Sequence, residues 1–284
     1  MEINKNYDEA ERYYKKSADK GHVKSQYRLA YLYDEKNFNE DAIEYYLKAI
    51  DSNYTMAKFR LGNLYNRQNT IESAKLYYDL ACNDSMVEAK NNFAGLYFEE
   101  KNYEKAIKYY EEAIVDGCKV ALENLGDLYY QTKDYQKAIS YYLRNSTSVS
   151  CQKKLADIYM EAENTDEAII WYKKASNNED IESSYKLGLI YEDLNNLEDA
   201  KKYYLLAAKK NHLNSKLHLG RIYYNEGNYE ESKKMLDVCA NENNAYAQHM
   251  VGLIYENYYS DHTNAKYWYE KSKNQGLVES IFNL

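Results

Sequence analysis

The 284-residue chain contains no proline, and that absence excludes proline-forced kinks, cis-proline turns and polyproline segments at a stroke. Glycine is scarce, with ten residues, so Gly-rich phosphate loops and flexible glycine linkers have little to be built from. There is no run of about 18 apolar residues that could serve as a membrane span, and no charged apolar leader opens the chain. The four cysteines, Cys82, Cys118, Cys151 and Cys239, show no C-x-x-C spacing, which leaves no zinc or dithiol motif and favours packed free thiols in a reducing, cytoplasmic compartment. The five histidines include no i, i+4 pair and no H-E-x-x-H, and neither a G-x-S-x-G elbow nor an EF-hand loop occurs. No catalytic, cofactor or metal constellation is expected, and the chain reads as a non-enzyme. A net charge of −8 argues against nucleic acid or an anionic membrane as the main partner.

What the chain has in abundance is tyrosine, 36 residues, arranged with a period. The pattern A-x-x-Y-Y-x-x-A, clearest at Ala106, Tyr109, Tyr110 and Ala113, places its residues on one helical face. Its aromatic pair returns as Tyr13-Tyr14, Tyr45-Tyr46, Tyr77-Tyr78, Tyr141-Tyr142, Trp171-Tyr172, Tyr203-Tyr204 and Trp268-Tyr269, with Met235-Leu236 as a degenerate copy. This segment is termed helix B. A second pattern, helix A, sets a small residue four places before a leucine slot, followed by Gly or Ala. The slot reads Leu29, Leu61, Phe93, Leu125, Leu155, Leu187, Leu219 and Val251, every step being 32 residues except one of 30. A solenoid follows, because a helix pair of this size buries its apolar face only against neighbouring copies.

Details of the repeat carry further expectations. The glycines that follow the leucine slot, Gly62, Gly126, Gly188, Gly220 and Gly252, cost about 1 kcal/mol each in a helix interior, so a close backbone contact is expected there. Gly21, Asn53, Gly117, Asn211, Asn243 and Gly276 fall where helix B must close in the left-handed conformation. The fifth repeat is irregular: Asn145 replaces the usual alanine, a Ser-Thr-Ser run follows, and the copy is two residues short. Such a run competes with helix, and the site reads as a tolerated deletion or, alternatively, as a flex point at about 145–150 within an otherwise single domain, 1–284. Helix A–B pairs run from about residue 22 to 275, eight in number, with a helix B ahead of them and a helix A stub after them. The apolar end, Leu277, Val278, Ile281, Phe282 and Leu284, raises weak homo-oligomerisation through open ends as an alternative role.

These residues resemble the tetratricopeptide and Sel1-like repeat families over essentially the whole chain. The Leu-Gly-x-x-Tyr of helix A and the aromatic-Tyr-x-x-Ala of helix B are similar to both. The 13 residues from Leu61 to Ala74 are similar to the short tetratricopeptide turn, while the 12 from Ala81 to Phe93 are similar to the Sel1-like link. The resemblance implies an all-α, right-handed solenoid of antiparallel helix pairs that serves as a binding scaffold.

In tetratricopeptide proteins the concave face is lined by helix A at positions −5, −2, +2, +5 and +6 from the leucine slot. Carried over, those positions hold twelve acids and four bases, whereas the rest of the chain is balanced at 33 of each. From Glu88 to Asp193 the count is nine acids to one base. Aromatic residues are interleaved with them, and acidic rims around aromatic anchors suit a basic peptide or protein. The residues expected to touch such a partner are Phe98, Glu99, Glu123, Asp127, Tyr130, Asp157, Met160, Glu161, Glu182 and Tyr185. The expected function is a protein–protein interaction scaffold with an acidic groove. Alternatives are an immunity-type or chaperone-type inhibitor of a basic toxin or client, and a structural module that self-associates.

Overall fold

The computed structural model describes the backbone of residues 2–277 and the side chains of residues 9–277. Seventeen helices and no strand occur among the described residues. The C-terminal stub and the residues 278–284 of the apolar end lie outside them. The chain divides into two compact units that part between Asn145 and Ser146.

The first unit contains α1 (Glu2–Ala18), α2 (Val23–Glu35), α3 (Asn39–Asp51), α4 (Thr55–Arg67), α5 (Ile71–Asn83), α6 (Val87–Glu99), α7 (Tyr103–Val115), α8 (Lys119–Gln131) and α9 (Tyr135–Arg144). The second contains α10 (Val149–Glu161), α11 (Thr165–Asn177), α12 (Ile181–Asp193), α13 (Leu197–Lys209), α14 (Leu213–Asn225), α15 (Tyr229–Asn241), α16 (Ala245–Asn257) and α17 (His262–Lys273). Even numbers carry the helix A pattern and odd numbers helix B. The 32-residue period therefore decomposes into two 13-residue helices and two three-residue turns, as in α4 to α7.

Each turn is closed by one residue in the left-handed region. Gly21, Asn53, Gly117, Asn211, Asn243 and Gly276 all have positive φ, as their spacing led us to expect. The A-to-B turns use the same device at Asn37, Asn69, Lys101, Lys133, Glu163, Asn195, Gly227 and Ser260. The following amide then bonds five residues back, as Phe38 N does to the Tyr33 carbonyl and Asp134 N to that of Tyr129, each at 2.8 Å. This satisfies carbonyls that the helix end leaves without a partner. Asn102, Asp134, Asn164, Asn196, Asn228 and Asp261 then cap the next helix by accepting from its third amide. The connection 145–148 departs from the rule. It holds no left-handed residue, and α9 has 10 residues instead of 13.

Within each unit the core is columnar. The leucine-slot residues are fully buried apart from Phe93 at 3% exposure, and the small slot is sealed from Ala57 through Cys151 to Ala247. The recurring helix A glycine answers to a contact different from the one the sequence suggests. A Cβ on Gly126 would lie 2.5 Å from the Tyr142 ring, and one on Gly188 would lie 2.4 Å from the Tyr204 ring. The glycine thus makes room for the second aromatic of helix B, whose ring atoms would be the nearest neighbours of a side chain there. The first aromatic stacks instead on a helix A tyrosine, giving near-parallel pairs at Tyr65–Tyr77, Tyr97–Tyr109, Tyr129–Tyr141 and Tyr191–Tyr203. Trp171, 7% exposed, carries the Lys174 ammonium 3.5 Å above its ring. All four cysteines are free thiols, half-buried at Cys82 and Cys118 and buried at Cys151 and Cys239. Burial pushes the Cys82 thiol up to about 12, which leaves it inert as a nucleophile.

Candidate protein-interaction face

The helix A face is shaped from beneath by helix B. The second tyrosine of helix B threads under the small residue after the leucine slot, and its hydroxyl donates to a side chain at position +2 or +5 of helix A. In the first unit Tyr46 donates to Asp34 at 3.3 Å, Tyr78 to Asn63 at 2.7 Å and Tyr142 to Asp127 at 2.6 Å. In the second, Tyr172 donates to Asp157, Tyr204 to Glu192 at 2.7 Å and Tyr269 to Glu256 at 2.7 Å. Burial raises the pKa of Tyr46, Tyr78, Tyr172 and Tyr204, to about 12 at Tyr78, so these four remain donors at neutral pH. Several of the face's carboxylates are therefore structural acceptors as well as surface charges.

A column at position −1, which the sequence count left out, completes the face. It reads Arg28, Arg60, Asn92, Asn124, Lys154, Lys186, His218 and Met250. Several of these side chains lean back onto the preceding helix A. The Arg60 guanidinium lies over the Tyr31 ring at 4.9 Å with its buried Nε lacking a hydrogen bond. Asn92 donates to Asn63 and Asn124 to Asn91, both at 2.9 Å, and Asn91 donates to Asn92 at 3.2 Å, which links α4, α6 and α8 by amides. In the second unit Lys186 pairs with Asp157 at 2.6 Å, and His218 Nδ1 lies 3.0 Å from Glu192. Two bases already in the count make further pairs, Arg67 at position +6 with Asp34 and Arg221 at position +2 with Glu192. With the −1 column included, eight bases face twelve acids, so the surplus of eight expected from sequence falls to four. It is concentrated on α6 and α8, whose twelve slots carry Glu88, Glu99, Glu123 and Asp127 and no base.

The ten residues singled out from sequence fall into two sets. The first unit holds Phe98 and Glu99 on α6 and Glu123, Asp127 and Tyr130 on α8. Glu99 is exposed and the other four are half-buried. Phe98 packs against Tyr103 at 6.1 Å, and Tyr130 meets Tyr135 edge-on at 5.5 Å. These two rings at the start of helix B were missed, although their spacing of five residues from a helix A aromatic is visible in the sequence. The second unit holds Asp157, Met160 and Glu161 on α10 and Glu182 and Tyr185 on α12. Met160, Glu161 and Glu182 are exposed. Asp157 is engaged by Tyr172 and Lys186, and Tyr185 is packed against His212 at 4.6 Å and His218 at 5.9 Å. His212 in turn caps α14 and lies 3.9 Å from Glu182. No group of three or more metal-ligating side chains is gathered among the described residues, and no described helix is long and apolar enough to cross a membrane.

Family models for the tetratricopeptide repeat match residues 27–92, 91–145, 154–177, 181–209 and 213–243, and the Sel1 repeat model matches 1–22 and 245–277. The chain belongs to the tetratricopeptide and Sel1-like repeat family. The Sel1 match at the C-terminal end covers the one A-to-B turn of four residues, between α16 and α17. Among solved structures this repeat protein is similar to c5321, a protective antigen of uropathogenic Escherichia coli with an SLR fold. Identity there is 19% and the TM-score 0.68, over 96% of this chain and 66% of that one. The Sel1 repeat protein of Oxalobacter formigenes is 18% identical with a TM-score of 0.64, over 95% and 89% of the two chains. The C-terminal part of a TPR repeat-containing protein from Cytophaga hutchinsonii is 17% identical with a TM-score of 0.59, over 80% and 99%. Comparison with curated proteins returned no relative. Repeats of this family mediate protein–protein interaction, and these likenesses establish the fold.

Proposed function

We propose that this repeat protein is a non-catalytic scaffold whose α6–α8 face holds a basic segment of a protein partner. The observation that carries the reading is the charge of that face: four carboxylates and no base on its twelve slots, beside the ring pairs Phe98–Tyr103 and Tyr130–Tyr135. Such a field steers a cationic segment toward the face and raises its encounter rate. Aromatic faces then hold lysine or arginine by cation–π attraction, and the linked amides of Asn91, Asn92 and Asn124 offer further polar contacts for an extended chain.

Fluorescence anisotropy with fluorescein-labelled hexa-arginine and hexa-lysine tests the proposal. The triple variant Glu88→Gln/Glu99→Gln/Glu123→Gln spares Asp127, the acceptor of Tyr142. Binding by the wild type that weakens with salt and drops about tenfold or more in the variant supports the reading, each lost charge contact being worth on the order of 1 kcal/mol. Equal affinity of the two proteins overturns it.

A further inference from the structure

Repeat three breaks the tyrosine rule. Every other helix B that keeps the second tyrosine, from α3 onward, sends its hydroxyl to an acceptor at position +2 or +5 of its helix A. In the third repeat those positions are Gly95 and Phe98, neither of which offers a side-chain acceptor. Tyr110 is 3% exposed, and no hydrogen bond to its hydroxyl occurs among the described residues. The oxygen lies 3.7 Å from where a Cβ on Gly95 would stand, so it forms the floor of a notch cut into the inner face of α6. Glu99 on α6 and Asp127 on α8 are close enough to Tyr110 to raise its pKa further, after burial.

We infer that the notch over Gly95 is a binding site for an arginine side chain of the partner, with the Tyr110 hydroxyl as its floor and the carboxylates of Glu99 and Asp127 at its sides. The inference rests on the basic-partner reading and names the residue that anchors it. The ring is buried while its hydroxyl, unlike Arg60 Nε, is not sealed, so the oxygen is open to an incoming group, and Asp127 and Glu99 are near enough to act on it. A guanidinium answers all three groups at once. Its five N–H donors lie in one planar fork, enough for one oxygen at the floor and a carboxylate on either side. It is also more weakly hydrated than an ammonium, which favours entry against a nearly buried oxygen. The absent side chain at 95 supplies the space, and its neighbours in the same column show what closes it: Asn63 in repeat two and Asp127 in repeat four.

The test uses the same two labelled peptides. Wild-type protein is expected to bind hexa-arginine more tightly than hexa-lysine. Gly95→Asn installs the acceptor that Asn63 provides for Tyr78, and is expected to weaken hexa-arginine about tenfold, the equivalent of one charge-assisted hydrogen bond, while hexa-lysine changes less than twofold. Tyr110→Phe keeps the ring against α6 and is expected to lose the arginine preference as well. Thermal melts of both variants confirm folding before binding is read. If Gly95→Asn and Tyr110→Phe both keep the arginine preference, the notch is overturned while the acidic-face reading stands. If wild type binds neither peptide at low salt, the acidic-face reading falls and takes the notch with it.

Discussion

The α6–α8 face of the first unit and the α12–α14 face of the second occupy the same slots of the same repeat and differ in what their −1 columns bring. On α12 and α14 the carboxylate of Glu192 is met by Arg221, His218 and the Tyr204 hydroxyl, and Glu182 has His212 nearby. On α6 and α8 the −1 column holds Asn92 and Asn124, which bond to other amides and bring no charge. The acids differ little between the two faces. What differs is the column that leans back from the following repeat, so the charge of a repeat's face is decided partly by its neighbour.

The comparison can be broken in four ways. The largest effect is expected from the column's glycines. Gly188→Ala on α12 drives a Cβ into the Tyr204 ring at 2.4 Å and should cost about 2 kcal/mol, overpacking outweighing the gain in helix propensity. Gly95→Ala on α6 meets nothing closer than 3.7 Å and should stabilise by up to about 1 kcal/mol, so paired chemical denaturation of the two variants reads the sign directly. Next, Asn92→Lys/Asn124→Lys gives α6–α8 the pattern of the other face. Affinity for hexa-arginine should fall about tenfold, while loss of the amide bonds to Asn63 and Asn91 should cost about 1 kcal/mol each in stability. Conversely, Arg221→Met leaves Glu192 to His218 and Tyr204, and a loss of about 1 kcal/mol is expected in urea unfolding, because the guanidinium is 37% exposed.

The smallest effect is a pH dependence confined to the second unit's face. Burial holds His218 below its ordinary 6.5. The unfolded chain then binds the proton more tightly, so His218 costs nothing above pH 6.5 and subtracts stability as pH falls through 6.5 toward its folded pKa. Replacing it by glutamine should flatten that slope in melting temperature between pH 5 and 7.5. An unchanged slope would assign the acid sensitivity to other groups.

The helices, their pairing and the core columns were legible because apolar spacing of three and four residues forces one buried face, and 32-residue recurrence forces stacking. The B-to-A turns were legible where Gly or Asn marks them. Half of the A-to-B turns carry the same mark, at Asn37, Asn69, Asn195 and Gly227, but the others do not, since Lys101, Lys133 and Glu163 carry no preference for the left-handed conformation they adopt. Of the face, the acids and aromatics were readable once a family register was borrowed. The −1 column was not, because its role depends on the offset between successive helix pairs, which no local pattern encodes. Tyr110 looked like any other copy. Its distinction lies in what is missing at Gly95, and a missing acceptor shows only when the phenol's end point is known.

The ring arrangement has an optical consequence. The chain has two tryptophans, and both Trp171 and Trp268 belong to the second unit, whereas three of the four near-parallel tyrosine pairs belong to the first. Excitation at the red edge of the absorption band therefore follows the second unit alone, and the near-ultraviolet circular dichroism of the stacked phenols is weighted toward the first. One unlabelled sample carries a separate colour for each half of its own unfolding.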